Sequence, residues 1–210
     1  MIGRKKHAKF IVFEGVDNCG KTTQAKRLAK TLRRYGYDVL TIREPGGTKV
    51  SERIRRILLS PKTKMCPRTE LLLYLAARSQ VTSEKIVRAL AEGKIVIADR
   101  YHLSTYAYQI GGRGMPADVV TTADRFARHA LLPDLTFILD ITPAESSRRT
   151  VAAGKKPDRI EREKAAFFVR IRRYYLHASR SEKNTILLPG RGNPDTLATK
   201  IESITMQLLR

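Results

Sequence analysis

The sequence predicts an α/β fold: a five-stranded parallel sheet covered by helices on both faces. Three observations carry this expectation. Short apolar runs alternate with longer amphipathic stretches, the pattern of strands buried between crossover helices. The 210 residues suffice for one domain that buries roughly 70% of its unfolded surface without a disulfide or metal staple. No repeat, linker or low-complexity tract interrupts the alternation, so residues 1–210 read as a single domain.

The elements follow in order. Residues 9–14 (KFIVFE) are β-branched and aromatic, a buried strand broken by the stretch from Gly15 to Gly20. Residues 21–35 form a helix with Leu28, Leu32 and Tyr35 on one side, and Gly36 is placed to stop it. A second strand over 39–42 ends at the turn Glu44-Pro45-Gly46-Gly47. Helical patterning covers 50–59 and runs from about 68 to 92, closing at Gly93. The third strand, 95–98, delivers Asp99 and Arg100 at its C-terminal end. Helices over about 103–110 and 117–131 flank Gly111-Gly112-Arg113-Gly114, and residues 135–141 form the fourth strand. A helix at 143–152 leads into a basic Gly/Pro segment (154–159) and a long helix to about 180. A fifth strand at 185–188 and a closing helix at 194–209 complete the pattern.

The most informative motif lies between the first strand and the first helix. Gly15-Val16-Asp17-Asn18-Cys19-Gly20-Lys21-Thr22 matches G-x-x-x-x-G-K-[ST], with Thr23 following. Such a loop turns backbone N–H groups toward phosphate oxygens, the helix N-terminus adds positive partial charge, and Lys21 adds a full one. Thr22 offers a hydroxyl to a Mg²⁺ ion held between phosphates. The chain is therefore expected to bind a nucleoside triphosphate. Cys19, inside the loop, reads as a small residue filling a tight position.

Composition bounds the rest. There are 41 Lys+Arg against 20 Asp+Glu, a net charge of +21, which calls for anionic ligands. Cys19 and Cys66 form no C-x-x-C, so neither a disulfide framework nor structural zinc is expected, and a reducing compartment is the default. No apolar run approaches a membrane span or a secretory h-region, so the chain reads as soluble and cytoplasmic. His7, His102, His129 and His177 show no ligand spacing and read as incidental.

The use of the triphosphate narrows by elimination. No N-K-x-D base-specificity motif is present, against a GTPase, and the third strand ends in a carboxylate followed by a cation rather than an acidic pair. An arginine at a strand's C-terminal end suits a second phosphorylated substrate. A nucleic-acid-binding ATPase is the reading from another class, but the basic residues spread over many helices without a recognisable module, so no specific nucleic-acid partner is expected.

The motifs resemble one family along nearly the whole chain. Phe13-Glu14-Gly15-Val16-Asp17, Arg43-Glu44-Pro45-Gly46-Gly47-Thr48, Glu70 to Tyr74 with Ala76 to Gln80, Asp99-Arg100-Tyr101 with Ser104 and Ala107-Tyr108-Gln109, Pro133-Asp134-Leu135-Thr136, and Asp158-Arg159-Ile160-Glu161 follow the order of the thymidylate (dTMP) kinases, a P-loop nucleotide-kinase family. The resemblance implies ATP as phosphoryl donor, Mg²⁺, dTMP as acceptor giving dTDP for dTTP synthesis, and a homodimer. It implies that Arg100, with Arg43, holds the acceptor phosphate, while Tyr74 stacks the thymine and Arg78 donates to its carbonyl oxygen. Ser104 and Thr105 would border the base, Tyr108 would crowd the 2′ position of the sugar, and Asp17 would approach the 3′-hydroxyl or the metal shell. Asp99 is either a buried partner of Arg100 or a group in the metal sphere.

Phosphoryl transfer needs cations around the moving group more than it needs a base. Asn18 and Cys19 give this loop no cation beyond Lys21, so the resemblance places the additional charge in a mobile lid at about 148–159. Arg149 aligns best with a lid arginine, Arg148, Lys155 and Lys156 being alternatives. Lys21, Arg100 and Arg149 are the expected catalytic residues.

Overall fold

The computed structural model describes residues 8–154 and 156–210. Five parallel strands, β1 (Phe10–Glu14), β2 (Val39–Arg43), β3 (Ile95–Asp99), β4 (Leu135–Asp140) and β5 (Thr185–Pro189), form one sheet in the order β2-β3-β1-β4-β5. Alternate side chains enter opposite layers. Ile11, Phe13, Ile95 and Ile97 pack in one apolar cluster with Leu28 and Leu32 of α1 (Lys21–Arg34), whereas Phe10, Val12, Val96 and Ala98 pack in a second with Val81, Ile86, Leu90 and Tyr101. Period-two alternation with both sets apolar is why these strands read as continuous hydrophobic runs. Phe13 of β1 stands beside Asp99 of β3 in register, so the chain leaves both strands at the same edge. That crevice, at the carboxyl ends of strands where the connections diverge, is where open α/β sheets bind ligands.

The remaining helices are α2 (Lys49–Leu59), α3 (Pro67–Val81), α4 (Val87–Ala91), α5 (His102–Thr105), α6 (Ala117–Ala127), α7 (Pro143–Ala152), α8 (Ala165–Ser181) and α9 (Pro194–Leu209). Gly36 ends α1 as expected: the N–H of Gly36 bonds to Arg33 O and that of Tyr37 to Leu32 O, with Gly36 at φ +85°. Tyr35 departs from the expectation. It is 55% exposed, and its hydroxyl donates to Glu202 on α9, because α1 ends before Tyr35 can turn inward. The helix expected over 68–92 contains a stretch of wider π turns at Thr82–Ile86, and α5 continues into another at Tyr106–Gly112. The helix expected over 117–131 stops at Ala127, since His129 and Ala130 adopt positive φ.

The second π segment has a packing cause. A Cβ on Gly112 would lie 2.5 Å from the Phe167 ring of α8, and one on Gly111 would lie 3.0 Å from Tyr174. Two glycines let α8 approach this closely, and the widened turn carries Tyr108 and Gln109 on the side of the crevice.

Candidate active site

The loop after β1 has the shape its sequence demands. Gly15 takes φ +133°, and a Cβ there would fall 2.5 Å from the Leu139 carbonyl oxygen, so the loop packs against β4 with no room for a side chain. Asn18 (φ +57°) and Gly20 (φ +103°) continue the turn into α1. Val16 and Cys19 are buried beneath it. Lys21 is buried and donates to Val16 O at 2.7 Å, with its Nζ 3.5 Å from Cys19 Sγ. Thr22 donates its hydroxyl to Asp99, while Thr23 stands exposed on the first turn of α1. The hydrogen bond of Asp99 is therefore with Thr22, while its charge also acts on Arg100.

Arg100 pairs instead with Asp17, Nη2 to Oδ1 at 2.5 Å, and Tyr108 donates its hydroxyl to Asp17 Oδ2 at 2.8 Å. Burial raises the pKa of Asp17, but Arg100 and Lys21 outweigh it and hold the carboxyl below its ordinary value. These residues line a cavity of about 200 Å³ together with Arg43, Glu44, Tyr74, Arg78, Ser104 and Thr105. The crevice thus gathers the expected acceptor-site residues from β2, α3 and α5 with its π extension. Arg43 stands at its rim, half exposed and 3.5 Å from Glu52. Burial pushes the Tyr74 phenol well above its ordinary range, so it remains neutral.

Arg78 is more constrained than helical spacing suggests. Its Nε donates to Glu44 Oε2 at 2.8 Å, Nη2 forms an ion pair with the same oxygen at 2.8 Å, and Nη1 donates to Thr105 Oγ1 and Asp124 Oδ1, at 2.6 Å each. These hydrogen bonds use three of its five N–H groups, and Nη2 is held by the ion pair alone. Asp124 Oδ2 in turn accepts from Arg128 Nε at 2.8 Å and the Tyr106 hydroxyl at 3.0 Å. Burial lifts the pKa of Glu44 to about 7 despite Arg78 beside it. Two buried acceptors that face no donor, Glu44 Oε1 and Gln109 Oε1, belong to cavity-lining residues.

Several of these residues were not singled out in the sequence. Arg55 lines the cavity and donates to Pro45 O at 2.9 Å; burial and the charge of Arg43 lower the pKa of its guanidinium. Its signal was the basic run 53–56, whose inward member periodicity alone did not pick out. Asp124 could have been noticed as an acid at helical spacing between Val120 and Ala127, both buried. His102 is buried with its pKa lowered to about 3 by burial, and so is neutral. His7 and Lys155 lie outside the described residues.

In the lid segment, residues 148–152 belong to α7. Arg149 donates to Glu145 at 2.7 Å, to the P-loop carbonyl of Asn18 at 3.1 Å and to Gly190 O at 3.0 Å. Arg148 is 74% exposed and paired with Glu145, and Lys156 is exposed. Among the described residues no three His, Cys, Asp or Glu side chains converge on a metal site, and no helix is long and apolar enough to cross a membrane. A hydroxyl and one carboxylate, Thr22 and Asp99, do fit a Mg²⁺ ion whose other ligands are phosphate oxygens and water.

Comparison with known proteins agrees with this geometry. The family model described as thymidylate kinase matches residues 13–201. The thymidylate kinase of Caldanaerobacter subterraneus subsp. tengcongensis is 47% identical over 168 residues, covering 80% of both chains. That of Pseudomonas putida (strain GB-1) is 41% identical over 197 residues, covering 93% of each. The crystal structure of thymidylate kinase from Ehrlichia chaffeensis superposes with a TM-score of 0.75 at 28% identity, over 97% of this chain and 99% of that one. With a phosphate-binding loop facing a cavity rich in arginine, and this similarity along its length, the chain belongs to the thymidylate kinase family and phosphorylates dTMP to dTDP.

Proposed function

We propose that the two nucleotides meet across Arg100. Family membership implies ATP as the donor. Its phosphates would lie on the loop from Gly15 to Thr22, with Thr22 and Asp99 holding Mg²⁺, which supplies charge neutralisation between the phosphates when bound. The dTMP phosphate would sit against Arg100, with Arg43 and Arg55 on the same side. An oxygen of that phosphate attacks the γ-phosphorus, the bond to the β-phosphate oxygen breaks, and ADP leaves with the electron pair. Arg100 and Lys21 offset the negative charge at the two ends of the transfer.

The observation that carries the base assignment is the polar wall of the cavity: Arg78 Nη2, held only by its ion pair with Glu44, for the O4 of thymine, and orphaned acceptors on Gln109 and Glu44 for its N3–H. Tyr74 would lie along the ring. Cytosine presents the opposite pattern at positions 4 and 3, so a coupled ADP assay is expected to rank dTMP first, dUMP within about two orders of magnitude and dCMP far behind, since one methyl is worth only about 1–3 kcal/mol. Turnover of dCMP equal to that of dTMP would refute the assignment. Tyr108, fixed by Asp17, would exclude a 2′-hydroxyl.

The lid over 148–159 belongs to the same proposal. Arg149 reaches the P-loop at the Asn18 carbonyl, so it is the lid cation best placed to act on the transferring phosphoryl. Arg149→Ala is expected to lower kcat at least about tenfold; a wild-type kcat would remove Arg149 from the mechanism. A homodimer is supported by α3 and α6, which pack together and leave Leu72, Val119 and Phe126 exposed, Phe126 at 86%. Sedimentation velocity should give about twice the chain mass for wild type and a monomer for Phe126→Glu. The free thiols of Cys19 and Cys66 suit the cytoplasm.

A further inference from the structure

Glu14 is fully buried at the C-terminal end of β1, and the roles above leave it unused. Its carboxylate collects four donors. Oε1 accepts the backbone N–H groups of Tyr101 at 2.8 Å and Ser104 at 3.1 Å; Oε2 accepts the hydroxyls of Ser104 at 2.5 Å and Tyr175 at 3.1 Å. Burial leaves the carboxyl pKa above its ordinary value, although the Ser104 hydroxyl and Arg100 draw it back in part. An anion can accept from all four at once, whereas a protonated carboxyl or an amide would give a hydrogen to one of the two hydroxyls and turn that hydroxyl's own hydrogen elsewhere.

Both ends of Arg100 connect to that anion, beside the bonds of its N–H to Phe13 O and of its guanidinium to Gly15 O and Asp17. Arg100 is a non-glycine residue at φ +75°, a left-handed conformation that is strained for a residue with a side chain and has to be held from outside. The next amide, Tyr101 N–H, is captured by Glu14. At the other end, Arg100 Nη1 donates to Ser104 Oγ at 3.0 Å and lies 3.4 Å from Tyr175 Oη. Those two hydroxyls give their hydrogens to Glu14, which leaves their lone pairs for the guanidinium. With a neutral residue at position 14, one hydroxyl would be free to turn its hydrogen toward Arg100.

We propose that Glu14 is a positioning residue for the acceptor phosphate: its buried charge fixes the backbone turn at Arg100 and orients the Ser104 and Tyr175 hydroxyls, and so aims the Arg100 guanidinium at that phosphate. This rests on the placement of the dTMP phosphate at Arg100. The phosphate-free ligand thymidine separates aim from general integrity. By calorimetric titration, Glu14→Gln should weaken dTMP about tenfold or more, the scale of one charge-assisted hydrogen bond, and leave thymidine within about twofold. The preference for dTMP over thymidine thus collapses. An unchanged preference, or equal loss of both ligands, overturns the proposal.

Arg100→Ala distinguishes the two layers of the argument. If it leaves the preference intact, the phosphate does not rest on Arg100 and the reading of the site fails. If Arg100→Ala collapses the preference and Glu14→Gln does not, the role of Glu14 alone fails. Tyr175→Phe makes a milder change, removing one of the two hydroxyls between Glu14 and Arg100, and provides the measurement should Glu14→Gln not fold. It is expected to narrow the preference about threefold, a share of the same hydrogen bond, and an unchanged preference in this variant also overturns the proposal.

Discussion

Lys21→Ala is expected to reduce kcat at least about a thousandfold, some 4 kcal/mol of transition-state stabilisation. The charge is buried, so water cannot substitute for it, and it stands in a loop whose other members are uncharged except Asp17. Folding should survive. The Nζ group bonds to Val16 O within its own loop, and the fixed glycine turns do not depend on that bond. Lys21→Arg should not restore turnover, because a planar fork cannot occupy the space of a compact ammonium beside Val16 and Cys19. Single-turnover kinetics with an unfolding curve for each variant checks both statements. A kcat within tenfold of wild type in Lys21→Ala would mean that another cation carries the charge.

How much of this was legible in the sequence depends on the range of the interaction. The phosphate loop, the five strands and the stop at Gly36 are encoded within a few residues, and all stand where the pattern put them. Asp99 and Arg100 were legible because they follow directly on the apolar run 95–98, and the structure sets them level with the end of β1 beside the loop. Their partners were not legible. The pairings of Thr22 with Asp99 and of Asp17 with Arg100 span 77 and 83 residues, and nothing local distinguishes them from an Asp99–Arg100 pair. The same holds for Arg78. Helical spacing places it beside Tyr74, but its clamp comes from the turn after β2, from α5 and from α6. The π turns escaped for a related reason: Gly111 and Gly112 look like a breaker in sequence and are a contact surface for α8 in space.

The charge excess also reads differently once partners are known. The buried and partly buried arginines around the site are neutralised: Arg78 by Glu44 and Asp124, Arg128 by Asp124, Arg100 by Asp17, and Arg113 and Arg159 by Glu70. Segment 148–183 holds 12 Lys+Arg against 4 Asp+Glu, a net +8, and Arg162, Arg170, Arg173, Arg180 and Lys183 within it are exposed. The interior therefore consumes carboxylates as fast as cations, and the surplus lies outside, where water screens it.

Asp124→Ala should be the most destabilising single change, costing about 3–5 kcal/mol. The carboxylate is fully buried and takes hydrogen bonds from Arg78, Arg128 and Tyr106; its removal strands two guanidinium groups and a phenol away from water. The loss should vary with pH in a defined way. Burial raises the pKa of Asp124, but Arg78 and Arg128 outweigh it, so the folded-state value lies below the unfolded one. Its contribution is therefore fully present above the unfolded value, about 3.8, and is lost as pH falls through the folded value. Urea unfolding of wild type and variant at pH 7 should show the full difference, and the gap should narrow only in strong acid. A gap that is already small at pH 7 would mean that Glu44 alone holds Arg78. If so, the two-carboxylate clamp behind the thymine wall is not what keeps that wall in place.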